Sequence, residues 1–204
     1  MFKKSILAAG VAMLFLAPMA APAAPARSET IVLAGGCFWG MEGTFEHMKG
    51  VTSVVSGYAG GSPGDATYDR VSSERTGHAE AIRVTFDPSS VSLGQIMQVY
   101  FVVAHDPTQV NGQYPDTGPS YRSAVFPQTA AQKAFVAAYI KDLNSRAPLK
   151  GRVATRIEGG GFYPAETYHQ DFMRKNPDHP YIKRWDVPRV KKLKAVYPAL
   201  YRDW

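Results

Sequence analysis

The stretch ETIVLAGGCFWGMEGTFE, residues 29–46, predicts the first strand and the first helix of the fold. Residues 29–34 form a short apolar run, which is typical of a buried strand. Two glycines, residues 35–36, then break the strand, and apolar side chains recur at helical spacing from Phe38 onward. Cys37, the single cysteine in the 204 residues, is therefore expected at a strand-to-helix turn.

Similar patterns continue along the chain and predict an alternation of strands and helices. Strands are predicted at residues 51–58, 80–86, 123–126 and 153–158, and helices at 92–105, 129–145 and 168–174. This order predicts an α+β fold, a two-layer sandwich of a mixed sheet and helices with a split β-α-β (ferredoxin-like) core. Prolines after Pro177 predict an extended C-terminal tail that wraps on the domain.

The N-terminal residues follow the order of a secretory signal peptide. Two lysines precede an apolar run at residues 6–16, and a stretch rich in alanine and proline follows up to Ala26. The apolar run is shorter than the ~18–20 residues that cross a bilayer. The predicted division is a signal peptide at 1–26, one domain at 27–176 and the tail at 177–204. Export to the periplasm is predicted, with no stable membrane association after cleavage.

The charge of the chain argues against nucleic acid as a partner. The formal net charge of +6 falls to +4 when residues 1–26, with two lysines and no acids, are removed. The basic residues between 184 and 194 are typical of a solvated surface. The sequence shows neither a helix suited to reading bases nor aromatics placed for stacking beside this charge. No nucleic-acid binding is therefore predicted.

The cysteine count limits the role of Cys37. An exported chain with one cysteine forms no intrachain disulfide, so the thiol is either buried and inert or retained for its reactivity. The N-terminus of a helix favours negative charge, which predicts a lowered pKa for Cys37. From spacing alone, both interpretations stay open.

The run Gly36-Cys37-Phe38-Trp39-Gly40, followed by Glu42, is similar to the signature of the A-type peptide-methionine sulfoxide reductases. Six further runs follow in the family's order: GYAGG at 57–61, TY at 67–68, TGHAE at 76–80, HDP at 105–107, YRS at 121–123 and FYPAETYHQ at 162–170. The resemblance implies that residues 27–176 are a catalytic domain without a cofactor. It implies reduction of methionine-S-sulfoxide, in oxidised proteins or as the free amino acid, to methionine.

The resemblance also implies a nucleophile and an acid. Reduction of a sulfoxide by the Cys37 thiolate requires the sulfoxide oxygen to be protonated or strongly hydrogen-bonded during attack on sulfur. Glu80 matches the acid of the family, and apolar neighbours are expected to raise its pKa. The alternative is a surface glutamate paired with Arg83 or Lys133.

Five further positions match the substrate-binding residues of the family. The resemblance implies that Tyr68 and Tyr121 hydrogen-bond the sulfoxide oxygen and that Asp116 positions the site. Phe38 and Trp39 are expected to form an apolar cage for the S-methyl group. Ordinary core, rim or turn positions remain the alternatives for these residues.

Many members of the family carry one or two recycling cysteines near the C-terminus, but residues 197–204 contain none. Attack on the sulfoxide would convert Cys37 to a sulfenic acid. The resemblance therefore implies an external thiol reductant: a thioredoxin-like protein, a glutaredoxin-like protein or a small thiol that works outside the cytoplasm.

Two other functions remain open from the sequence. A cysteine acyl-transferase or hydrolase would use Cys37 with His78 or His169 as its base. A non-catalytic exported binding module would instead bury an inert Cys37. His78 and His169 are otherwise expected to pack or cap, and no histidine has metal-ligand spacing with Cys37, so no metal site is predicted.

Overall fold

The fold is built on a six-stranded mixed sheet, seen in a computed structural model that describes residues 28–146 and 151–204. The strands in chain order are β1 Glu29–Ala34, β2 Val51–Ala59, β3 Ala79–Phe86, β4 Gly112–Gln113, β5 Asp116–Thr117, β6 Ala124–Phe126, β7 Arg156–Ile157 and β8 Phe162–Pro164. The helices are α1 Phe38–Glu46, α2 Tyr68–Val71, α3 Leu93–Val99, α4 Ala130–Ser145, α5 Phe172–Lys175 and α6 Val187–Val196. The predicted signal peptide lies outside the described residues.

The sheet order is β7-β6-β1-β3-β2-β8, while β4 and β5 pair separately. β3 lies between β1 and β2 and is antiparallel to both, so the unit β1-α1-β2 is a split β-α-β. β6 and β7 are parallel, which makes the sheet mixed. The predicted α+β class is confirmed.

The two faces of the sheet differ in the size of their side chains. Ile31 and Leu33 of β1 pack with Met41 and Phe45 of α1 in the main hydrophobic core. On the opposite face, alanines of β1, β2, β3 and β6 form a second, smaller cluster. Because side chains alternate along a strand, Glu80 of β3 shares the α1 face with the buried residues at 82 and 84.

Side-chain caps fix the starts of two helices as the sequence predicts. The Ser92 hydroxyl accepts from the Gln95 backbone N–H at 3.3 Å and the Gln95 side chain accepts from the Ser92 N–H at 2.9 Å, a capping box for α3. The helix continues as a π-helical turn at Tyr100–Ala104. Thr129 caps α4.

Two predicted elements are shorter than expected. The strand predicted at 153–158 is limited to β7. The helix predicted at 168–174 is two pieces, a 3₁₀ turn at Thr167–His169 and α5. Gln170 separates them with an extended backbone, because its side-chain amide accepts from the Ser56 N–H at 3.0 Å and donates to the Ser56 carbonyl at 2.9 Å. These tertiary hydrogen bonds replace continuation of the helix.

The prediction of an extended C-terminal tail is wrong. A π-helical turn at Ile182–Asp186 and α6 follow Pro177, and both contact α1. Pro188 lies in the first turn of α6, where a missing N–H costs no hydrogen bond, so proline there does not break the helix. The side chains of Ile182 and Leu193 are fully buried and attach the segment to the domain.

In residues 28–146 and 151–204, no helix has the length and apolar character needed to cross a membrane.

Candidate active site

Cys37 is the N-cap residue of α1 and lies directly after the break in β1. Its preceding residue Gly36 has φ of 91°, and a Cβ added there would lie 2.8 Å from the Gln113 side chain. Only glycine fits this combination of left-handed backbone and close approach. Cys37 is 8% exposed, so the residue is almost fully buried.

The pKa of Cys37 is raised, and the predicted lowering is wrong. Burial contributes most to the increase, followed by the negative charges of Glu80 and Asp186. The backbone N–H of Trp39 in the first turn of α1 lowers the pKa, as the sequence argument expects, but its effect is smaller. The resting residue is therefore a neutral thiol.

Glu80 is hydrogen-bonded to the turn that contains Cys37. It is 4% exposed, and its Oε2 accepts the backbone N–H of Phe38 at 3.0 Å. The pKa of Glu80 is raised to about 8: burial is the largest cause, the Phe38 N–H opposes it, and the charges of Asp116 and Glu74 add to the increase. A surface ion pair is excluded by this burial. The carboxyl is mostly protonated at neutral pH and can donate a proton.

Two tyrosines lie close to both groups. The pKa values of Tyr68 and Tyr121 are raised mainly by burial and then by negative charge at Glu80 and Cys37. Both phenols therefore remain neutral hydrogen-bond donors. Tyr68 is fixed by its backbone N–H, which donates to the Glu166 carboxylate at 2.9 Å. The structure thus brings the predicted donors together with the thiol and the acid.

Asp116 lies in β5 and belongs to the same group of side chains. Burial raises its pKa, while a hydrogen bond from the Tyr181 hydroxyl and the charge of Arg189 oppose this effect. Its own charge raises the pKa values of Cys37 and Glu80. Asp116 therefore lies within electrostatic range of the thiol and the acid, and its role in positioning the site stays a prediction.

The two aromatic residues after Cys37 differ in exposure. Phe38 is 1% exposed, with its ring centroid 4.9 Å from that of His169. Trp39 is half-buried and stacks on Phe172 at 3.7 Å between centroids. Its Nε1–H donates to Nδ1 of His169 at 3.1 Å. Trp39 therefore has accessible aromatic surface, whereas Phe38 is a core residue. The role of both rings in binding the methyl group stays a prediction.

The histidines are engaged elsewhere. Nδ1 of His78 accepts the Gly61 N–H at 3.2 Å, and its Nε2 lies 2.8 Å from the Ser62 carbonyl. Nδ1 of His169 accepts from Trp39, and burial lowers the His169 pKa. Over the described ranges no histidine is hydrogen-bonded to the Cys37 sulfur. Neither His78 nor His169 therefore makes, in this part of the chain, the hydrogen bond to Cys37 that a cysteine hydrolase would use.

The structure adds residues that the sequence argument missed. Asp186 is fully buried and lies 3.5 Å from Arg189, and burial raises its pKa to about 7. A Cβ at Gly40 would lie 2.1 Å from the Asp186 carboxylate. A glycine inside a helix costs about 1 kcal/mol relative to alanine. The presence of Gly40 in α1 is therefore the feature of the sequence that indicates close packing by another group.

Gly40→Ala should destabilise the protein by about 1–3 kcal/mol, because the new methyl group would overlap the Asp186 carboxylate and Arg189. Urea unfolding measures the change, and Gly64→Ala is the matched control because a Cβ at Gly64 meets no atom within 4 Å. Equal effects of the two substitutions would contradict the packing described for Asp186.

Glu42, in the same turn of α1, is 1% exposed, and its pKa is raised to about 8 by burial and by the charges of Glu46 and Asp171. The unfolded chain loses this proton near pH 4.5 and the folded chain near pH 8. The contribution of Glu42 to the free energy of unfolding is therefore highest below pH 4.5 and falls as the pH rises to about 8.

Glu42→Gln should reduce this fall in stability by on the order of 2–4 kcal/mol. The amide has no proton to lose, so residue 42 no longer makes the free energy of unfolding depend on pH. Urea unfolding at about pH 5 and about pH 8.5 measures the difference, with the exposed Glu29→Gln as control. An equal pH dependence in the wild type and Glu42→Gln would show that Glu42 does not retain its proton.

The chain matches a known protein family over most of its length. Residues 29–199 match the family model "Peptide methionine sulfoxide reductase". The chain belongs to this family. MsrA 2 of Mesorhizobium japonicum is 51% identical over 177 residues, which cover 86% of this chain and 91% of that protein. MsrA 2 of Synechocystis is 46% identical over 171 residues, which cover 83% of this chain and 80% of that protein.

Solved structures of A-type reductases share the fold. Reduced Mxr1 from Saccharomyces cerevisiae has a TM-score of 0.71 and 33% identity and covers 76% of this chain and 90% of its own. Methionine sulfoxide reductase A of Corynebacterium diphtheriae has a TM-score of 0.64 and 33% identity and covers 76% and 77%. The chain is therefore an A-type methionine sulfoxide reductase, an oxidoreductase that acts on a sulfur group.

Proposed function

We propose that this reductase converts methionine-S-sulfoxide to methionine by attack of Cys37 on the sulfoxide sulfur, with Glu80 as the proton donor. The substrate is a methionine sulfoxide residue of an oxidised protein or the free amino acid. The observation that carries this assignment is the hydrogen bond of 3.0 Å from the Phe38 N–H to Glu80. It holds a buried, protonated carboxyl against the turn that contains the nucleophile.

The proposed step needs no reactant besides the Cys37 thiol, the Glu80 acid and the sulfoxide. The Cys37 thiol loses its proton as its sulfur bonds to the sulfoxide sulfur, and Glu80 gives its proton to the oxygen. Transfer of the oxygen to Cys37 then breaks the sulfoxide S–O bond and gives a sulfenic acid and methionine. The thiol proton restores the Glu80 acid. Cys37 is oxidised by two electrons, and the substrate sulfur is reduced by two.

The neighbouring side chains supply orientation and hydrogen bonds. Tyr68 and Tyr121 are neutral phenols close to Glu80 and Cys37, which suits donation to the polar sulfoxide oxygen. Asp116 positions these groups. Trp39 offers the aromatic surface on which the S-methyl group would pack, a contact that contributes only about 0.8 kcal/mol per methyl group and therefore orders the substrate more than it tightens binding.

The second half of the cycle needs another thiol. The 204 residues contain no cysteine besides Cys37, so its sulfenic acid has no intrachain thiol to capture it. We assign this step to an external thiol, either a thioredoxin-like or glutaredoxin-like protein or a small thiol. The signal-peptide order of residues 1–26 supports export and a periplasmic site of action, where the donor must also work.

Turnover of the two sulfoxide epimers with a panel of thiol reductants tests this function. We expect consumption of the S epimer, one methionine for each pair of reductant thiols oxidised, and no turnover without reductant. Consumption of the R epimer alone, or of neither epimer with any donor, would overturn the assignment. Free and peptide-bound sulfoxides in the same assay establish the substrate preference.

A further inference from the structure

The turn that carries Tyr121 is hydrogen-bonded to the side chain of Glu74. This residue follows α2, and its carboxylate accepts the Ser120 backbone N–H at 2.8 Å and the Ser120 hydroxyl at 2.6 Å. Ser120 is 3% exposed and lies in the 3₁₀ turn at Pro119–Tyr121. Both carboxylate oxygens of Glu74 are therefore bound to the residue directly before Tyr121.

The backbone of Glu74 lies in the left-handed region, with φ of 63°. This conformation is strained for a residue with a long side chain, and it persists only where the surrounding contacts outweigh the strain. The two hydrogen bonds to Ser120 are such contacts. The carboxyl also packs on Gly118, where an added Cβ would lie 2.5 Å from Cδ of Glu74. The position of the carboxyl against the turn therefore holds Glu74 in this conformation.

Glu74 also connects the two tyrosines assigned to the sulfoxide oxygen. Tyr68 begins α2, and the Glu74 N–H donates to the carbonyl of Val71, the last residue of that helix, at 3.0 Å. The Glu74 side chain then bonds to the residue before Tyr121. The charge of Glu74 contributes to the raised pKa of Glu80. Glu74 therefore links the segments of both donors and lies within electrostatic range of the acid.

We propose that Glu74 is a positioning residue of the reductase, which holds the Pro119–Tyr121 turn against α2 so that the Tyr121 hydroxyl stays directed at the sulfoxide oxygen. This inference rests on the proposed function, which gives the hydroxyl its acceptor. A hydrogen-bond donor contributes most when its direction is fixed before charge develops on the oxygen. Without the two hydrogen bonds to Ser120, the donor is in place in only part of the molecules.

Glu74→Gly removes the carboxyl and should retain the fold. Glycine adopts the left-handed backbone readily, so relief of strain offsets the lost hydrogen bonds, and the melting temperature should stay near that of the wild type. The Arg122 guanidinium still donates to the Pro119 carbonyl at 2.9 Å and holds the start of the turn.

The measurement for Glu74→Gly is methionine formed in a single turnover without reductant. We expect the rate at saturating S-sulfoxide to fall about five- to 15-fold, the size expected for weakening one hydrogen bond in the transition state. The sulfoxide concentration that gives half of this rate should change less than about twofold, because the loss lies in the transition state and not in binding.

Glu74→Gln separates the position of the turn from the charge. The amide oxygen can accept the Ser120 N–H and the amide N–H can donate to the Ser120 hydroxyl, but the negative charge is removed. We expect this variant to stay within about threefold of the wild-type rate. A loss equal to that of Glu74→Gly would show that the charge near Glu80 acts instead of the hydrogen bonds, and it would overturn the proposal.

Asp87→Ala is the matched control. The Asp87 carboxylate also accepts the backbone N–H and the hydroxyl of one serine, Ser89, at 2.9 and 2.6 Å, but it lies at the opposite end of β3 from Glu80. We expect the wild-type single-turnover rate for this variant. A loss equal to that of Glu74→Gly would show a general effect of such serine contacts on the fold, against the proposal.

A double-mutant cycle with Tyr121→Phe tests whether Glu74 acts through Tyr121. If it does, Glu74→Gly should slow Tyr121→Phe by less than about a further twofold. Additive losses, or a wild-type rate in Glu74→Gly, would overturn the inference and leave the proposed function intact. Absence of methionine formation from the S epimer by the wild type would instead overturn the proposed function, and the inference with it.

Discussion

Cys37→Ser should abolish methionine sulfoxide reduction, with no turnover above the rate without enzyme. A serine hydroxyl is a far weaker nucleophile than a thiolate, and it cannot take up the oxygen as a sulfenic acid. Oxygen is slightly smaller than sulfur, and the site is buried, so the fold should be retained. The assay is methionine released from the S epimer in the presence of excess thiol.

The control is the unfolding curve of Cys37→Ser, which should match that of the wild type. Measurable reduction by the correctly folded variant would mean that another group, or the reductant itself, attacks the sulfoxide. It would exclude Cys37 as the nucleophile.

Glu80→Gln should slow the first step by about 10²- to 10⁴-fold, the usual contribution of a general acid. An amide can still accept the Phe38 N–H and donate a hydrogen bond to the substrate, but it cannot transfer a proton. Because the native carboxyl is buried and its pKa is raised, a neutral amide should not lower stability near neutral pH. A rapid-quench experiment without reductant measures methionine formed in a single turnover.

Glu46→Gln is the control for this experiment. Glu46 is also a partly buried carboxyl in α1, with its pKa raised to about 7 by burial and Asp171, but it lies at the opposite end of the helix from Cys37. We expect a wild-type single-turnover rate for Glu46→Gln. An unchanged rate in Glu80→Gln would show that Glu80 is not the proton donor.

The first strand and helix, and the place of Cys37 between them, could be predicted from the sequence because the signals are local. An apolar run, two glycines and a helical repeat specify this turn without reference to the rest of the chain. The C-terminal helices could not be predicted in the same way. Pro188 lies in the first turn of α6, which tolerates a missing N–H, and the apolar face of these helices is evident only when it packs on α1.

The direction of the Cys37 pKa shift also depends on the assembled structure. The N–H of Trp39 is local and was predictable, but burial and the charges of Glu80 and Asp186 come from distant parts of the chain. Tyr181 was missed for the same reason. Its partner Asp116 is brought to it by the fold, and no spacing in the sequence relates the two.

The mass of the intact protein after reaction with one equivalent of methionine-S-sulfoxide, without reductant, shows whether Cys37 takes up the sulfoxide oxygen. We expect a gain of one oxygen atom, located at Cys37, with one methionine released per chain and the original mass restored by added thiol. Release of methionine from the wild-type chain with no change at Cys37 would show that Cys37 is not the group that reduces the sulfoxide.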